Sequence, residues 1–123
     1  MEMTIPEDCG NSPRMAIVAD FVTAWAAGEA ETVREWLREG AGWELVGDGQ
    51  DAVIEGVVPP PFAAERGEIL TVLSHGRLAA CDGYLVRGGQ RVDFCHVLRF
   101  AGTTKTARIR EIRTYLQPDA AQD

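Results

Sequence analysis

From residue 68 onward, apolar and polar positions alternate with a period close to two, and glycine-rich breaks cut the run into four segments. Such alternation marks strands that bury one face and wet the other. The pattern predicts strands at about 68–75, 78–87, 91–100 and 108–116, with a tight turn at Gly76-Arg77 and a hairpin loop at Gly88-Gly89-Gln90. Ahead of them the period is helical. Ile17, Val18, Phe21, Val22 and Trp25 recur on one stripe, Ser12-Pro13 supplies an N-cap and a first helical residue, and Gly28 ends the run. A second, shorter helix is predicted over 30–39, where Val33, Trp36 and Leu37 share a face and Gly40 follows. Trp43-Glu44-Leu45-Val46 reads as a strand closed by Gly47-Asp48-Gly49. Between 51 and 67 the pattern fades. Pro59-Pro60-Pro61 is incompatible with a helix interior or a central strand, so this stretch is expected to be a flap, with one helical turn from Pro61 to Glu65. Residues 1–11 have no period and are expected to form an N-terminal arm. Two helices followed by a meander predict an α+β domain, the helices lying on one face of an antiparallel sheet.

The segment 91–100 poses the main chemical question. Its inward set is Val92, Phe94, His96, Leu98 and Phe100, an apolar row with an imidazole at its centre. A three-residue loop at Gly88–Gln90 would pair Arg87 with Arg91. Val86 would then face Val92, Tyr84 face Phe94, Ala80 face Leu98 and Leu78 face Phe100. A two-residue loop pairs Leu85 with Val92 but Gly83 with Phe94, a less apolar set, so the first register is expected. It sets Asp82 opposite His96, with Cβ atoms about 4.5–5.5 Å apart, near enough for a carboxylate–imidazole hydrogen bond. The inward face then carries Thr71, His75, Asp82, Tyr84 and His96, and Ala79, Cys81, Gly83, Cys95 and Val97 point outward. An Asp82–His96 pair reads either as a satisfied buried polar pair or as an acid–base dyad in which the carboxylate fixes the ring tautomer.

Composition narrows the partners. The 123 residues suffice for one domain, 1–123, with an ordinary apolar fraction of 46%. A formal charge of −7 argues against a nucleic-acid partner. No apolar run is long enough for a membrane span, and the first residues lack the basic start and apolar stretch of a signal peptide. Cys9, Cys81 and Cys95 form no metal-type spacing and suit a reducing cytoplasm. No metal or cofactor is expected.

The order helix, helix, strand, flap, four-stranded meander resembles the nuclear transport factor 2-like superfamily, which includes ketosteroid isomerase, SnoaL-like polyketide cyclases and limonene epoxide hydrolase. The resemblance to small bacterial members of uncharacterised activity rests on four stretches. These are Asp8-Cys9-Gly10-Asn11-Ser12-Pro13, Trp43-Glu44-Leu45-Val46-Gly47-Asp48, His75-Gly76, and Phe94-Cys95-His96-Val97-Leu98-Arg99-Phe100. It implies a cone, in which a curved antiparallel sheet wraps the N-terminal helices and encloses a pocket, and a homodimer through the outer sheet face. It also implies where catalytic groups would fall. The isomerase tyrosine falls on Phe21, its base on Leu45 or Val46, and its protonated aspartate on His96. The epoxide hydrolase Arg-x-Asp motif resembles Arg91-Val92-Asp93, one strand too late, and that enzyme's second aspartate falls on Thr114. Neither catalytic set is retained.

The expected function is therefore binding of a small hydrophobic or polar-aromatic molecule. Its pocket is predicted from Phe21, Trp25, Trp43, Leu45, Tyr84, Phe94, Leu98, Ile112 and Leu116, with Asp82 and His96 as the polar pair and His75 nearer the rim. The alternative is an isomerase, cyclase or lyase in which His96 is the general base or hydrogen-bond donor and Asp82 orients it.

Overall fold

A computed structural model describes residues 1–7, 12–47 and 52–119. Cys9, the opening stretch through Asn11, and Asp48-Gly49 of the expected turn lie outside them. The first helix, α1 (Pro13–Ala26), begins as its sequence directs: Pro13 is its first residue and the Ser12 hydroxyl accepts the Met15 N–H at 3.5 Å. Val18, Phe21, Val22 and Trp25 form its buried stripe. Gly28, at φ 75°, makes the left-handed turn that leads into α2 (Ala30–Trp36).

The second helix is shorter than its pattern suggested. The chain turns extended at Leu37, and β2 runs Leu37–Val46, well before the expected start at Trp43. Gly40, at φ 79°, lies in the irregular stretch where the register against β7 (Ile109–Pro118) shifts between Leu37 and Gly42. The arm also contributes structure, since β1 (Glu2–Thr4) pairs with β4 (Arg66–His75). A short strand in the flap region, β3 (Ala52–Glu55), pairs with β2. No helical turn forms over 61–65.

With β5 (Leu78–Arg87) and β6 (Gln90–Phe100), the described strands form one seven-stranded sheet in the order β1-β4-β5-β6-β7-β2-β3. The meander from β4 to β7 is antiparallel as expected. The sheet as a whole is mixed, because β2 joins β7, and β1 joins β4, in parallel.

The β5–β6 hairpin corrects the expected register by one residue. Its loop is the two-residue Gly88-Gly89, Gly88 takes φ 57°, and Arg87 pairs with Gln90. Leu85 therefore faces Val92, and Gly83 faces Phe94. The inward residues of β5 are Ala79, Cys81, Gly83 and Leu85. The set expected to point outward thus splits: Ala79, Cys81 and Gly83 are interior, whereas Cys95 and Val97 do lie on the outer face. The physical reason is helix packing. Helix α1 crosses β4 and β5, so that part of the sheet needs small side chains. At Gly83 an added Cβ would stand 2.0 Å from the Glu68 carbonyl oxygen and 2.9 Å from Cζ of Phe94. Large apolar residues cannot be matched across the hairpin where the β4 backbone and the Phe94 ring close on β5 beneath α1.

The core lies between α1 and the inner face of β4–β7 and β2. At its edge Arg14, 8% exposed, lays its guanidinium 3.8 Å from the Phe100 ring centre and donates to the Gly102 and Thr104 carbonyls, tying the β6–β7 loop to the helix start.

Candidate functional site

His96 is fully buried, at the inward position the alternation assigned to it. Its cross-strand neighbour on β7 is Thr114, also fully buried. Thr114 Oγ1 lies 2.8 Å from His96 Nδ1 and accepts the indole N–H of Trp43, on β2, at 2.7 Å. An indole nitrogen only donates, so the threonine oxygen accepts from Trp43; its own proton and its second lone pair let it either give to the imidazole or accept from it. With the hydroxyl giving, Nδ1 accepts and the ring proton sits on Nε2; with the hydroxyl receiving, the tautomer is reversed. Nε2 is shut off from solvent and has no hydrogen-bond partner among the described residues. Burial lowers the ring's pKa from 6.5 to about 3, so the imidazole is neutral at physiological pH. The site thus presents a buried, uncharged imidazole whose Nε2 has no hydrogen-bond partner among the described residues, a costly arrangement for a plain core residue.

The surroundings of that donor are aromatic. The Trp25 ring meets His96 edge to face with centroids 4.3 Å apart, and Phe94 and Trp43 lie at 5.3 and 6.4 Å. Trp25 is pinned in turn, since its indole N–H donates to the carbonyl of Val58 in the flap at 2.9 Å. Beyond Trp25 is a recess of about 240 Å³ whose walls include Trp25, Val33, Arg34, Val57, Pro59 and Pro60. His96 does not line it; Trp25 stands between.

The expected partner of His96 is elsewhere. Asp82 pairs with Cys95 and lies on the outer face, whereas Cys81 is the residue across from His96. The one-residue shift moves every side chain of β5 to the opposite face, and the Asp82–His96 pair does not form. Tyr84 moves with Asp82. It leaves the predicted pocket, donates its hydroxyl to Glu68 at 2.8 Å and lies under the guanidinium of Arg91 at 4.0 Å. The remaining predicted pocket residues are interior: Phe21, Trp25, Trp43, Phe94, Leu98 and Ile112 are buried, and Leu45 and Leu116 are half-buried. Thr71 and His75 pair with Asp82 and Leu78 as expected, but both are exposed. Thr114 is the residue that sequence reasoning undervalued. It is the inward polar position between Ile112 and Leu116, so the same alternation that singled out His96 also marks it.

Comparison with solved structures places this geometry. The chain superposes on a nuclear transport factor 2-like protein of unknown function from Burkholderia xenovorans LB400 with a TM-score of 0.67 at 14% identity, over 91% of this chain and 88% of that one. The fold is nuclear transport factor 2-like. A second such protein of unknown function, from Silicibacter pomeroyi DSS-3, matches with a TM-score of 0.51 at 15% identity, over 85% of this chain and 93% of that one. No family model and no curated protein matches the sequence. At these identities the likeness establishes the nuclear transport factor 2-like architecture and leaves the chemistry to the site. Among the described residues, no helix is long and apolar enough to cross a membrane.

Proposed function

We propose that the chain binds a small, largely apolar molecule bearing a hydrogen-bond acceptor, in an interior site reached past Trp25. The observation that carries this reading is the unpartnered Nε2 of His96 behind the Trp25 ring; we place the ring proton there, with the Thr114 hydroxyl donating to Nδ1. The recess outside Trp25 is bounded by the proline flap, and the Trp25–Val58 hydrogen bond is the latch between them. A ligand that swings the indole aside exchanges one edge-to-face contact and the Trp25–Val58 hydrogen bond for apolar burial plus a hydrogen bond that His96 otherwise lacks. A ketone or ester on an aromatic or alicyclic body has the matching chemistry. Catalysis by His96 oriented by Asp82 is not part of this reading, because the two side chains lie on opposite faces and an imidazole with a pKa of about 3 is a poor base at neutral pH.

The test uses acetophenone and its acceptor-free analogue ethylbenzene. Acetophenone is expected to shift the Trp25 indole N–H resonance and raise the melting temperature more than ethylbenzene does, and His96→Leu is expected to abolish that difference. Equal responses to both compounds in the unsubstituted protein contradict the proposal.

The partner proposed for the outer sheet face is a second copy of this chain. Leu73, Leu78 and Val97 stand together there, Leu73 with 62% of its surface exposed, around a shallow apolar depression.

A further inference from the structure

The outer face of the sheet carries a second concavity, independent of the interior site. It is a groove of about 360 Å³ at the end of the face away from Leu73 and Leu78. Asp82, Cys95 and Tyr115 are cross-strand neighbours on β5, β6 and β7 and line it side by side, with Leu70 and Val46 as apolar walls and Asp93 alongside. The volume suits a small organic molecule.

The electrostatics of the groove are one-sided. Asp82 is half-buried, and its Oδ1 is excluded from solvent with no hydrogen-bond partner among the described residues. Two guanidinium groups on this face are already engaged. Arg91 pairs with Asp93 at 3.0 Å and stacks on Tyr84, while Arg113 pairs with Glu44 at 3.1 Å and lies 5.6 Å from the Tyr115 ring. The Cys95 thiol has its pKa raised, first by burial and then by the negative charge of Asp82. A carboxylate stripped of part of its hydration and given no donor is destabilised until a cation supplies one. Tyr115, 36% exposed, adds an aromatic face of the kind that receives ammonium groups, and Leu70, 52% exposed, adds an apolar one.

We propose that this groove binds a small organic cation, an amine on an apolar or aromatic body, with Asp82 as its charge partner and Tyr115 as its aromatic wall. The probe is protonated phenethylamine, compared with uncharged phenethyl alcohol, titrated into the full chain at low ionic strength and followed by backbone amide shifts. The amine is expected to move the amides of Asp82, Cys95 and Tyr115 and to bind about tenfold more tightly than the alcohol, the scale of one charge-assisted hydrogen bond. Asp82→Asn should remove that preference, and Tyr115→Leu, at the exposed rim, should weaken amine binding while leaving the melting temperature unchanged. Three results overturn the proposal: amine and alcohol binding alike, an amine preference that survives Asp82→Asn, or silence at these amides because a second copy covers the groove. Should Asp82→Asn fail to fold, the amine-to-alcohol ratio in the unsubstituted chain and its response to Tyr115→Leu decide alone, a ratio near one or an unmoved response contradicting the site.

Discussion

One hydroxyl oxygen, Oγ1 of Thr114, holds two rings in place, receiving the Trp43 indole proton and serving His96 Nδ1. Thr114→Val keeps the shape but leaves both ring nitrogens buried without partners. Each orphaned group costs roughly 1–3 kcal/mol, so the variant should lose roughly 2–6 kcal/mol in urea unfolding, while Thr114→Ser should lose much less. His96 itself makes stability depend on pH. Its folded pKa, about 3, lies below its unfolded value of 6.5, so the unfolded chain binds the proton first as pH falls. The full stability is present above pH 6.5 and is lost progressively below it, toward pH 3, with a slope of up to about 1.4 kcal/mol per pH unit. Between pH 6.5 and about 5, above the usual carboxylate range, this slope should be visible in the unsubstituted protein and flattened in His96→Leu. An unchanged slope in the variant would assign it to other groups. At this scale the sequence was legible for identity and direction, since alternation alone turned His96 inward. The partner was misread because strand periodicity locates a face within one strand but leaves the pairing of two strands open.

The elements show why that pairing went astray. The span of α1, the order of the meander strands and the Gly76-Arg77 turn follow from period, caps and glycines, and Ser12-Pro13 begins α1 where the cap rule puts it. The β5–β6 register depends on long-range facts, the packing of α1 against β4 and β5 and the close approach of the β4 backbone to β5, which no local pattern encodes. Gly83 is the trace of that approach in the sequence: a glycine in mid-strand marks a close contact. Here the Glu68 carbonyl oxygen would be 2.0 Å from any Cβ. Gly83→Ala should therefore prevent native folding or lower the thermal midpoint severely, whereas Gly89→Ala, with open space at its Cβ, should be tolerated. Similar melting of the two variants would contradict the close packing described for β5. The early start of β2 at Leu37 was hidden for a related reason. Val33, Trp36 and Leu37 fit a helical face, and the parallel pairing with β7 draws Leu37 into the sheet.

For the whole molecule, the described strands form one open sheet with two faces of different use. The inner face meets the helix and holds the aromatic cluster around His96; the outer face carries Leu73, Leu78 and Val97 at one end and the acidic groove at the other. If the apolar end joins two copies, sedimentation should give a dimer, and Leu73→Arg combined with Val97→Asp should give a folded monomer. A monomeric unsubstituted chain would remove that assembly. Element order made the nuclear transport factor 2-like architecture legible from the sequence. The site was not legible to the same degree, because its meaning turns on which atoms of His96 and Asp82 lack partners, and that depends on register, tautomer and the position of Trp25. The interior donor is most directly read from long-range proton–nitrogen NMR correlations of His96 at pH 5, without and with acetophenone. The expected result is a neutral ring protonated on Nε2, with the Nε2 signal moving when the ketone is added. A charged ring, a proton on Nδ1, or an Nε2 signal indifferent to the ketone would contradict it.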